Sequence, residues 1–586
     1  MELPPGIVYL ISCLPQLLLP PAIVYGLNRI CDFAFGISLP GWSQIPAYVL
    51  SFPALFTCSL LAANYRDRRQ AAMRGAVLPP RYPSRLPGGL DILVALVQDF
   101  KIGYMGGLMG EKCNTLGHTF NMRVLFENRI FTAEPEYIKA ILVSQFTSFA
   151  NGPMFRDQAN SLLGTGVDYR FHRSMTRPFF NKDRISHFDI FDKHAEDAIS
   201  QLKIRLRDGY PVDFQDMVSR FTLDSATEFL FGRNVCSLSA GLIYPPSSPR
   251  SKDVAFENHP ADKFARAFSD AQIATSYRGR FGSAWRLSEF WTDRVKKHMD
   301  TCYKFIDPIL KEALEKKKML KENLNEKADA KDRDVKEGET LLDHLVNYTE
   351  DPIVIRDEIL NIMIAGRDTT AATLTFVIYM LTQHPDVLRR LREEILSKVG
   401  SSRRPTYDDM RDMKYLRAVI NETLRLYSPV TSTEPTVLPG IDGGKPIYVP
   451  QNTRTFYSVF LMHRRTDLWG PDAEEFDPDR FLDDRLQKYC TSNPFIFMPF
   501  NAGPRICVGQ QFAYNEVSFF LVRLLQQFSS VSLATDVQTL PPAEWAKCSG
   551  RKAIEKVVFK SHLTIYAHDG LWVRMDEASP VEVEVV

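Results

Sequence analysis

Two long apolar runs dominate the start of the chain. Pro4–Asn28 and Ile45–Tyr65 contain no charged side chain, and each supplies the roughly 20 residues that a membrane-spanning helix needs. We therefore predict a membrane anchor over residues 1–70, with two transmembrane helices at about 5–27 and 45–65. The alternative is one span followed by a segment that lies at the membrane surface. A cleaved signal peptide is disfavoured, because no lysine or arginine precedes the first run.

Positive charge follows the second apolar run. The arginines are Arg66, Arg68, Arg69 and Arg74. Because arginine and lysine accumulate on the cytosolic side of membrane proteins, the chain beyond this point is expected to face the cytosol. Residues 71–90 are rich in proline and predict a stiff hinge between the anchor and one large domain over residues 91–586.

Helical periodicity prevails in that domain, which predicts a mainly α fold with a small β region. Short strands are expected near Val124–Ala133 and Pro446–Phe456. The longest helical pattern begins at Asp351–Pro352, a good helix start, and ends at His384–Pro385. At roughly thirty residues it is too long for an ordinary surface helix and predicts one that crosses the whole domain.

Composition excludes several functions. A formal net charge of +1 gives no support for nucleic-acid binding. Nine cysteines are scattered without a C-x-x-C pair, so neither a disulfide framework nor a zinc site is indicated.

The most informative segment is Phe500–Gly509, F-x-x-G-x-R-x-C-x-G, which we call the cysteine loop. Its spacing fits a cysteine that ligates haem iron. Gly503 allows a tight bend beside a flat macrocycle, Arg505 can meet a haem propionate, and the Cys507 thiolate favours cleavage of the O–O bond. The alternative is a buried structural cysteine in a turn.

A second motif, A-G-x-D-T-T, lies in the middle of the long predicted helix. Gly366 is a poor helix former, and the Thr369 hydroxyl can bond back to the Ala365 carbonyl. Together they predict a local bulge with room for dioxygen, where Asp368 and Thr369 relay protons. The alternative is a kinked core helix whose threonine satisfies its own backbone.

The cysteine loop resembles the haem-binding signature of the cytochrome P-450 superfamily of haem-thiolate monooxygenases. Thr222–Gly232, His463–Asp467 and Gly509–Ala513 resemble its fungal alkane- and fatty-acid-hydroxylating branch. The resemblance implies the cytochrome P-450 fold, with the long central helix over haem b and Cys507 as axial ligand beneath. It also makes residues 91–586 the catalytic domain.

Two further matches follow from the resemblance. Glu422, Arg425 and Arg480 correspond to a buried structural cluster beneath the cysteine loop. Arg173, and Tyr169 where the family usually has tryptophan, correspond to residues that reach a haem propionate.

One departure concerns the segment after Arg425. The family has a pocket-lining strand with a basic residue there, whereas Ser428–Pro435 is shorter and no arginine occurs before Arg454. Either the pocket is rebuilt, or residues were lost from the gene model.

The resemblance implies a monooxygenase of the endoplasmic reticulum membrane that faces the cytosol and uses O2, an apolar small molecule and NADPH–cytochrome P-450 reductase. The face of this chain on which the reductase docks would be the cysteine side of the haem. Its positive side chains would be Arg170, Arg177, Lys414 and Arg417. Fatty-acid or alkane hydroxylation is favoured; the alternative is oxidation of terpenoids, steroids or polycyclic aromatics. Two other hypotheses are an isomerase or dehydratase of the same fold and a non-catalytic haem sensor or carrier.

Overall fold

The computed structural model describes residues 3–148, 152–167, 169–180, 188–252, 259–324, 339–429, 432–433, 445–451 and 453–579. Most of them are helical. The α-helices are α1 Pro5–Phe35, α2 Gly41–Met73, α3 Leu90–Ile102, α4 Gly107–Leu116, α5 Pro135–Lys139, α6 Pro153–Leu163, α7 Tyr169–Thr176, α8 Asp189–Arg207, α9 Phe214–Phe231, α10 Pro260–Phe281, α11 Trp285–Ser288, α12 Arg294–Leu324, α13 Leu341–Tyr348, α14 Pro352–Met363, α15 Thr369–Gln383, α16 Pro385–Val399, α17 Tyr407–Asp412, α18 Lys414–Leu426, α19 Val459–Met462, α20 Thr466–Trp469 and α21 Gln510–Gln527.

The strands are few and short. They are β1 Thr119–Val124, β2 Glu127–Thr132, β3 Val212–Asp213, β4 Ser432–Thr433, β5 Arg454–Tyr457, β6 Phe528–Leu533, β7 Phe559–Ser561, β8 Ile565–Ala567 and β9 Trp572–Glu577. They form a four-stranded sheet in the order β1-β2-β5-β4, a three-stranded sheet in the order β3-β9-β6, and the hairpin β7-β8. The predicted mainly helical fold with a small β region is confirmed.

Both predicted strand regions differ in extent from the structure. The first is an antiparallel hairpin of β1 and β2 that turns at Leu125 and Phe126, both with positive φ. In the second, only Arg454–Tyr457 is a strand, and it pairs in parallel with β2. Side chains alternate across a sheet, so a short strand has only a few inward-facing apolar residues. The apolar pattern therefore locates the ends of such strands only to within a few residues.

The long central helix runs from Pro352 to Gln383 as predicted, but as three parts. Helix α14 begins after an Asp351 cap whose side chain accepts hydrogen bonds from Ile353 and Val354 N–H. A π-helical turn over Ile364–Asp368 interrupts it, and α15 follows. Twelve of the fifteen α15 residues are buried, so this helix forms the centre of the largest core cluster, together with α8, α9, α18 and α21.

The two N-terminal helices are long and apolar enough to cross a membrane. At 1.5 Å per residue they are about 45–50 Å long, against about 30 Å for a hydrocarbon core. They extend beyond the predicted spans at 5–27 and 45–65. The start of α1 contacts the large domain, since Gly6 N–H donates to Phe290 O at 2.9 Å, and Phe56 of α2 packs on Phe126 with ring centroids 4.8 Å apart.

The proline-rich hinge is attached to the large domain. Val77 N–H donates to Pro446 O at 2.8 Å, and Tyr82 N–H donates to Asn121 O at 2.9 Å. The second bond holds Tyr82 against β1, and the first joins Val77 to the segment that precedes β5. The proline-rich segment is therefore attached to the rest of the chain at both of these points.

Candidate active site: the cysteine loop and the central helix

The cysteine loop forms a tight turn immediately before α21. Gly503 has φ 58°, and a Cβ added there would lie 2.7 Å from the carbonyl oxygen of Leu142. Only glycine fits this conformation and this close approach. Cys507 N–H donates to Phe500 O at 3.0 Å, which closes the loop across the motif.

The Cys507 thiol has mixed surroundings. Partial burial raises its pKa, whereas the Gly509 N–H and the positive charge of Arg173 act in the opposite direction and favour the thiolate. The residue as a whole remains exposed. The loop therefore supplies one backbone N–H to the sulfur from the protein side and leaves another side accessible to a ligand.

Arg173 lies against this loop. Its Nη1 donates to Ile506 O at 2.6 Å, so α7 is tied to the residue that precedes the cysteine. The guanidinium of Arg505 lies 5.4 Å from the Phe146 ring centroid. The side chain of Tyr169 is outside the described part of the structure.

The central helix opens at the predicted position. Thr369 Oγ1 donates to Ala365 O at 2.5 Å across the π turn. Ala365 is exposed although it lies in the middle of a helix that crosses the core, and a Cβ added at Gly366 would have no atom within 4 Å. The turn is therefore not covered by packed side chains at these two residues.

Asp368 has a partner that the sequence did not indicate. Its Oδ2 accepts a hydrogen bond from Gln272 Nε2 of α10 at 2.7 Å, and its Oδ1 lies 3.1 Å from Arg367 Nη1. Gln272 is 1% exposed, and its Oε1 has no hydrogen-bond partner among the described residues. Since the two residues are 96 positions apart, no local pattern predicts the contact.

A second carboxyl group beside the π turn was not predicted from the sequence either. Glu516 of α21 is 1% exposed and lies beside Thr370, the residue that follows Thr369. Burial raises the pKa of Glu516 to about 8, although the Thr370 hydroxyl favours the charged form. An acid-base group is thus buried between α21 and the central helix.

The structure brings Glu422, Arg425 and Arg480 together in full burial. Arg425 donates to both Glu422 carboxylate oxygens at 2.7 Å, and Arg480 Nε lies 3.5 Å from Glu422 Oε1. Arg425 also donates to His463 O at 2.7 Å. These bonds join α18 to the segment that leads into the cysteine loop.

The residues present fit a haem. An accessible thiol that accepts a backbone hydrogen bond, as that of Cys507 does, suits an axial ligand. An exposed alanine and an open glycine at mid-helix leave room for a flat group. The cysteine loop and the π turn are connected through α21. This helix begins three residues after Cys507 and places Glu516 beside Thr370.

Comparison with known proteins gives the same assignment. A family model described as Cytochrome P450 matches residues 101–552, and the chain therefore belongs to the cytochrome P450 family. It is 35% identical over 545 residues to Cytochrome P450 52A6 of Candida tropicalis, covering 88% of this chain and 95% of that protein. It is 31% identical over 558 residues to Cytochrome P450 monooxygenase himC of Aspergillus japonicus, covering 92% and 90%. Cytochrome P450 52E1 of Candida apicola is 36% identical over 468 residues, covering 77% and 85%.

Family membership confirms the predicted resemblance and the class of enzyme, an oxidoreductase that incorporates oxygen. It implies a haem-thiolate cofactor and a redox partner.

The altered segment after Arg425 is described only at Ser432–Thr433, which pair with Tyr457 and Phe456; residues 430–431 and 434–444 lie outside the described part.

Proposed function

We propose that this chain hydroxylates apolar chain molecules of the fatty-acid or alkane type. It inserts one atom of O2 into the substrate and reduces the other to water, with electrons from NADPH–cytochrome P-450 reductase. The observation that carries the proposal is the pairing of the cysteine loop with a π turn opened by the Thr369–Ala365 hydrogen bond. An isomerase or dehydratase has no use for such an oxygen-activating turn.

The cofactor in this proposal is haem b, with its iron bound by the Cys507 thiolate. When bound, it supplies the oxidising chemistry, as is usual for cofactor enzymes. Phe500, Gly503 and Gly366 shape its surroundings, and Arg505, Arg173 and Tyr169 are assigned to its propionates. Arg173 already lies on the cysteine loop through its bond to Ile506 O.

The chain's own contribution to oxygen activation is proton delivery. Thr369 holds its hydroxyl hydrogen on Ala365 O, and the Asp368 carboxylate beside it is held by Gln272 and Arg367. We assign Asp368 to carry protons inward and Thr369 to pass them to dioxygen. Glu422, Arg425 and Arg480 have a structural role.

The proposed location is the endoplasmic reticulum membrane, with the catalytic domain on the cytosolic face. Gly6 at the start of α1 contacts this domain, and α2 leads directly into it, so both ends of the helix pair lie on the same side, which favours a two-helix hairpin over one span with an interfacial segment. Arg66, Arg68, Arg69 and Arg74 at the end of α2 favour the cytosolic side.

The reductase would dock on the cysteine side of the domain. Arg177 and Lys414 are exposed, and Arg417 stacks over Tyr514 of α21, 3.7 Å from its centroid. The Arg170 side chain lies outside the described part. Exposed cations suit an acidic flavoprotein surface.

The test uses the full-length chain in membranes with the reductase and NADPH. Fatty acids, alkanes, terpenoids and polycyclic aromatics are screened in parallel, with mass-spectrometric detection of products. Hydroxylated fatty acid or alkane is the expected result. Products from terpenoids or aromatics alone would replace the proposed substrate class.

A further inference from the structure

A buried ion pair joins α7 to the central helix. His172 of α7 is 5% exposed and Glu358 of α14 is 3% exposed, and His172 Nδ1 meets Glu358 Oε2. Burial lowers the pKa of His172, but the hydrogen bond and the charge of Glu358 outweigh it, so the pKa lies above that of an ordinary histidine. The imidazolium form of His172 is therefore favoured, and the contact is an ion pair.

The chain immediately before α7 is held by the same helix. Asp357 Oδ2 accepts hydrogen bonds from Thr165 N–H at 2.9 Å and from Thr165 Oγ1 at 3.1 Å. Asn361 Nδ2 donates to Leu163 O at 3.1 Å. Polar side chains of α14 thus fix both α7 and the segment that leads into it.

The position of His172 also determines where the next side chain points. His172 is followed directly by Arg173, whose Nη1 donates to Ile506 O at 2.6 Å, next to Cys507. Adjacent residues of an α-helix project about 100° apart around its axis. Helix α7 has only eight residues, and a helix this short has little stability of its own. The contact that holds His172 on the central helix therefore also sets the direction in which Arg173 leaves α7.

The central helix carries the oxygen-activating turn as well. Thr369, whose hydroxyl bonds across the π turn, follows Glu358 by eleven residues, which is about 16 Å along a helix. One element therefore places the π turn and orients α7. The ion pair relates the position of the central helix to that of the arginine on the cysteine loop.

We propose that His172 and Glu358 are positioning residues for the haem: their ion pair orients α7 so that Arg173 lies between the cysteine loop and a haem propionate. This inference rests on the proposed assignment of Arg173 to a propionate, and it adds two residues that act through that arginine. Loss of either partner leaves the other buried without its counter-charge, which favours movement of α7. Arg173 then leaves the cysteine loop, so the protein holds haem less tightly and provides less positive charge to stabilise the reduced iron.

The test measures two properties of the haem-loaded, full-length protein in detergent, namely the rate of transfer of ferric haem to apomyoglobin and the reduction potential of the iron. Arg173→Ala should accelerate haem transfer about tenfold and lower the potential. Glu358→Gln and His172→Gln should each accelerate transfer by about three- to tenfold and also lower the potential. Glu228→Gln is the matched control, because it removes the charge that faces His194 at 2.8 Å between α8 and α9; it should change neither property.

The double variant Arg173→Ala/Glu358→Gln separates positioning from packing. If the ion pair acts through Arg173, the double variant should lose haem no faster than Arg173→Ala alone. A double variant in which the two single effects multiply would overturn the inference, as would wild-type transfer and potential in both Glu358→Gln and His172→Gln. The comparison is repeated with His172→Gln in place of Glu358→Gln, so the result does not depend on the folding of one variant.

The outcomes also separate this inference from the proposed function. If Arg173→Ala changes neither haem transfer nor potential, the inference is overturned together with the assignment of this arginine to a propionate. The proposed hydroxylation still stands if the wild type converts a fatty acid or an alkane. It fails instead if the wild type, with an intact thiolate carbon monoxide spectrum, hydroxylates no chain substrate.

Discussion

The Thr369 hydroxyl donates a hydrogen bond to the carbonyl oxygen of Ala365, 2.5 Å away, at the one place where the central helix becomes π-helical. Threonine makes the same bond elsewhere in this helix without any such effect: Thr375 Oγ1 donates to Ala371 O at 2.7 Å inside regular α15. Gly366, a weak helix former, lies between Ala365 and Thr369, whereas no glycine lies between Ala371 and Thr375. The same helix thus contains both the bond at the π turn and a matched control bond.

Replacing Thr369 with alanine should impair the coupling of electron flow to product. The haem spectrum should persist and NADPH should still be consumed, while more of it yields hydrogen peroxide or water. General acid-base groups contribute about 10²–10⁴ in rate; water can replace a hydroxyl in part, so the effect on product is expected at the low end. The measurement is product, peroxide and NADPH in one reconstituted assay.

The matched variant is Thr375→Ala, which removes the same kind of bond from a regular, buried part of α15. It should lower stability modestly and leave coupling unchanged. Wild-type coupling in Thr369→Ala, or equal uncoupling in both variants, would mean that the π turn is only a structural kink.

Asp368→Asn should slow turnover, because an amide cannot carry the protons that the carboxylate brings inward. Gln272→Leu removes the 2.7 Å bond to Asp368 Oδ2 but keeps the carboxylate, so it should reduce the rate less. The readouts are the turnover rate and its solvent isotope effect. An unchanged rate and isotope effect in Asp368→Asn would place the proton path elsewhere.

Breaking the buried cluster should destabilise the domain strongly. Glu422→Ala leaves Arg425 and Arg480 buried without their shared carboxylate, and removing one partner of a buried ion pair costs about 3–5 kcal/mol. Asp479→Ala removes a surface partner of Arg390 and should cost at most about 1 kcal/mol. The measurement is the free energy of unfolding of both variants in urea. Similar losses of this free energy in the two variants would show that the cluster is not important for stability.

Acid should destabilise the protein through His463. Its Nε2 accepts from Met498 N–H at 3.0 Å, and burial lowers its pKa to about 3. Below the ordinary histidine pKa of about 6.5, the unfolded chain binds a proton at this residue that the folded protein does not bind. The free energy of unfolding therefore falls as the pH decreases. His463→Gln should reduce the loss of unfolding free energy between about pH 7 and pH 5; His298→Gln, at a more exposed site, should not.

Much of the site could be predicted because its determinants are local. The cysteine loop and the π turn each depend on residues within ten positions of one another, and Gly503 and Gly366 indicate the required backbone. The contacts of Gln272 with Asp368 and of Glu516 with Thr370 could not be predicted. They join residues from distant elements, and the sequence pattern does not show which helix packs against which.

The most direct test of the account supplies isotopically labelled dioxygen to the full-length protein in membranes, with the reductase, NADPH and a fatty acid. We expect hydroxylated product that carries one labelled oxygen atom. We also expect Cys507→Ser to lose both this product and the thiolate-specific carbon monoxide spectrum, while Cys548→Ser keeps both. Hydroxyl oxygen derived from water, or a thiolate spectrum retained in Cys507→Ser, would contradict the account.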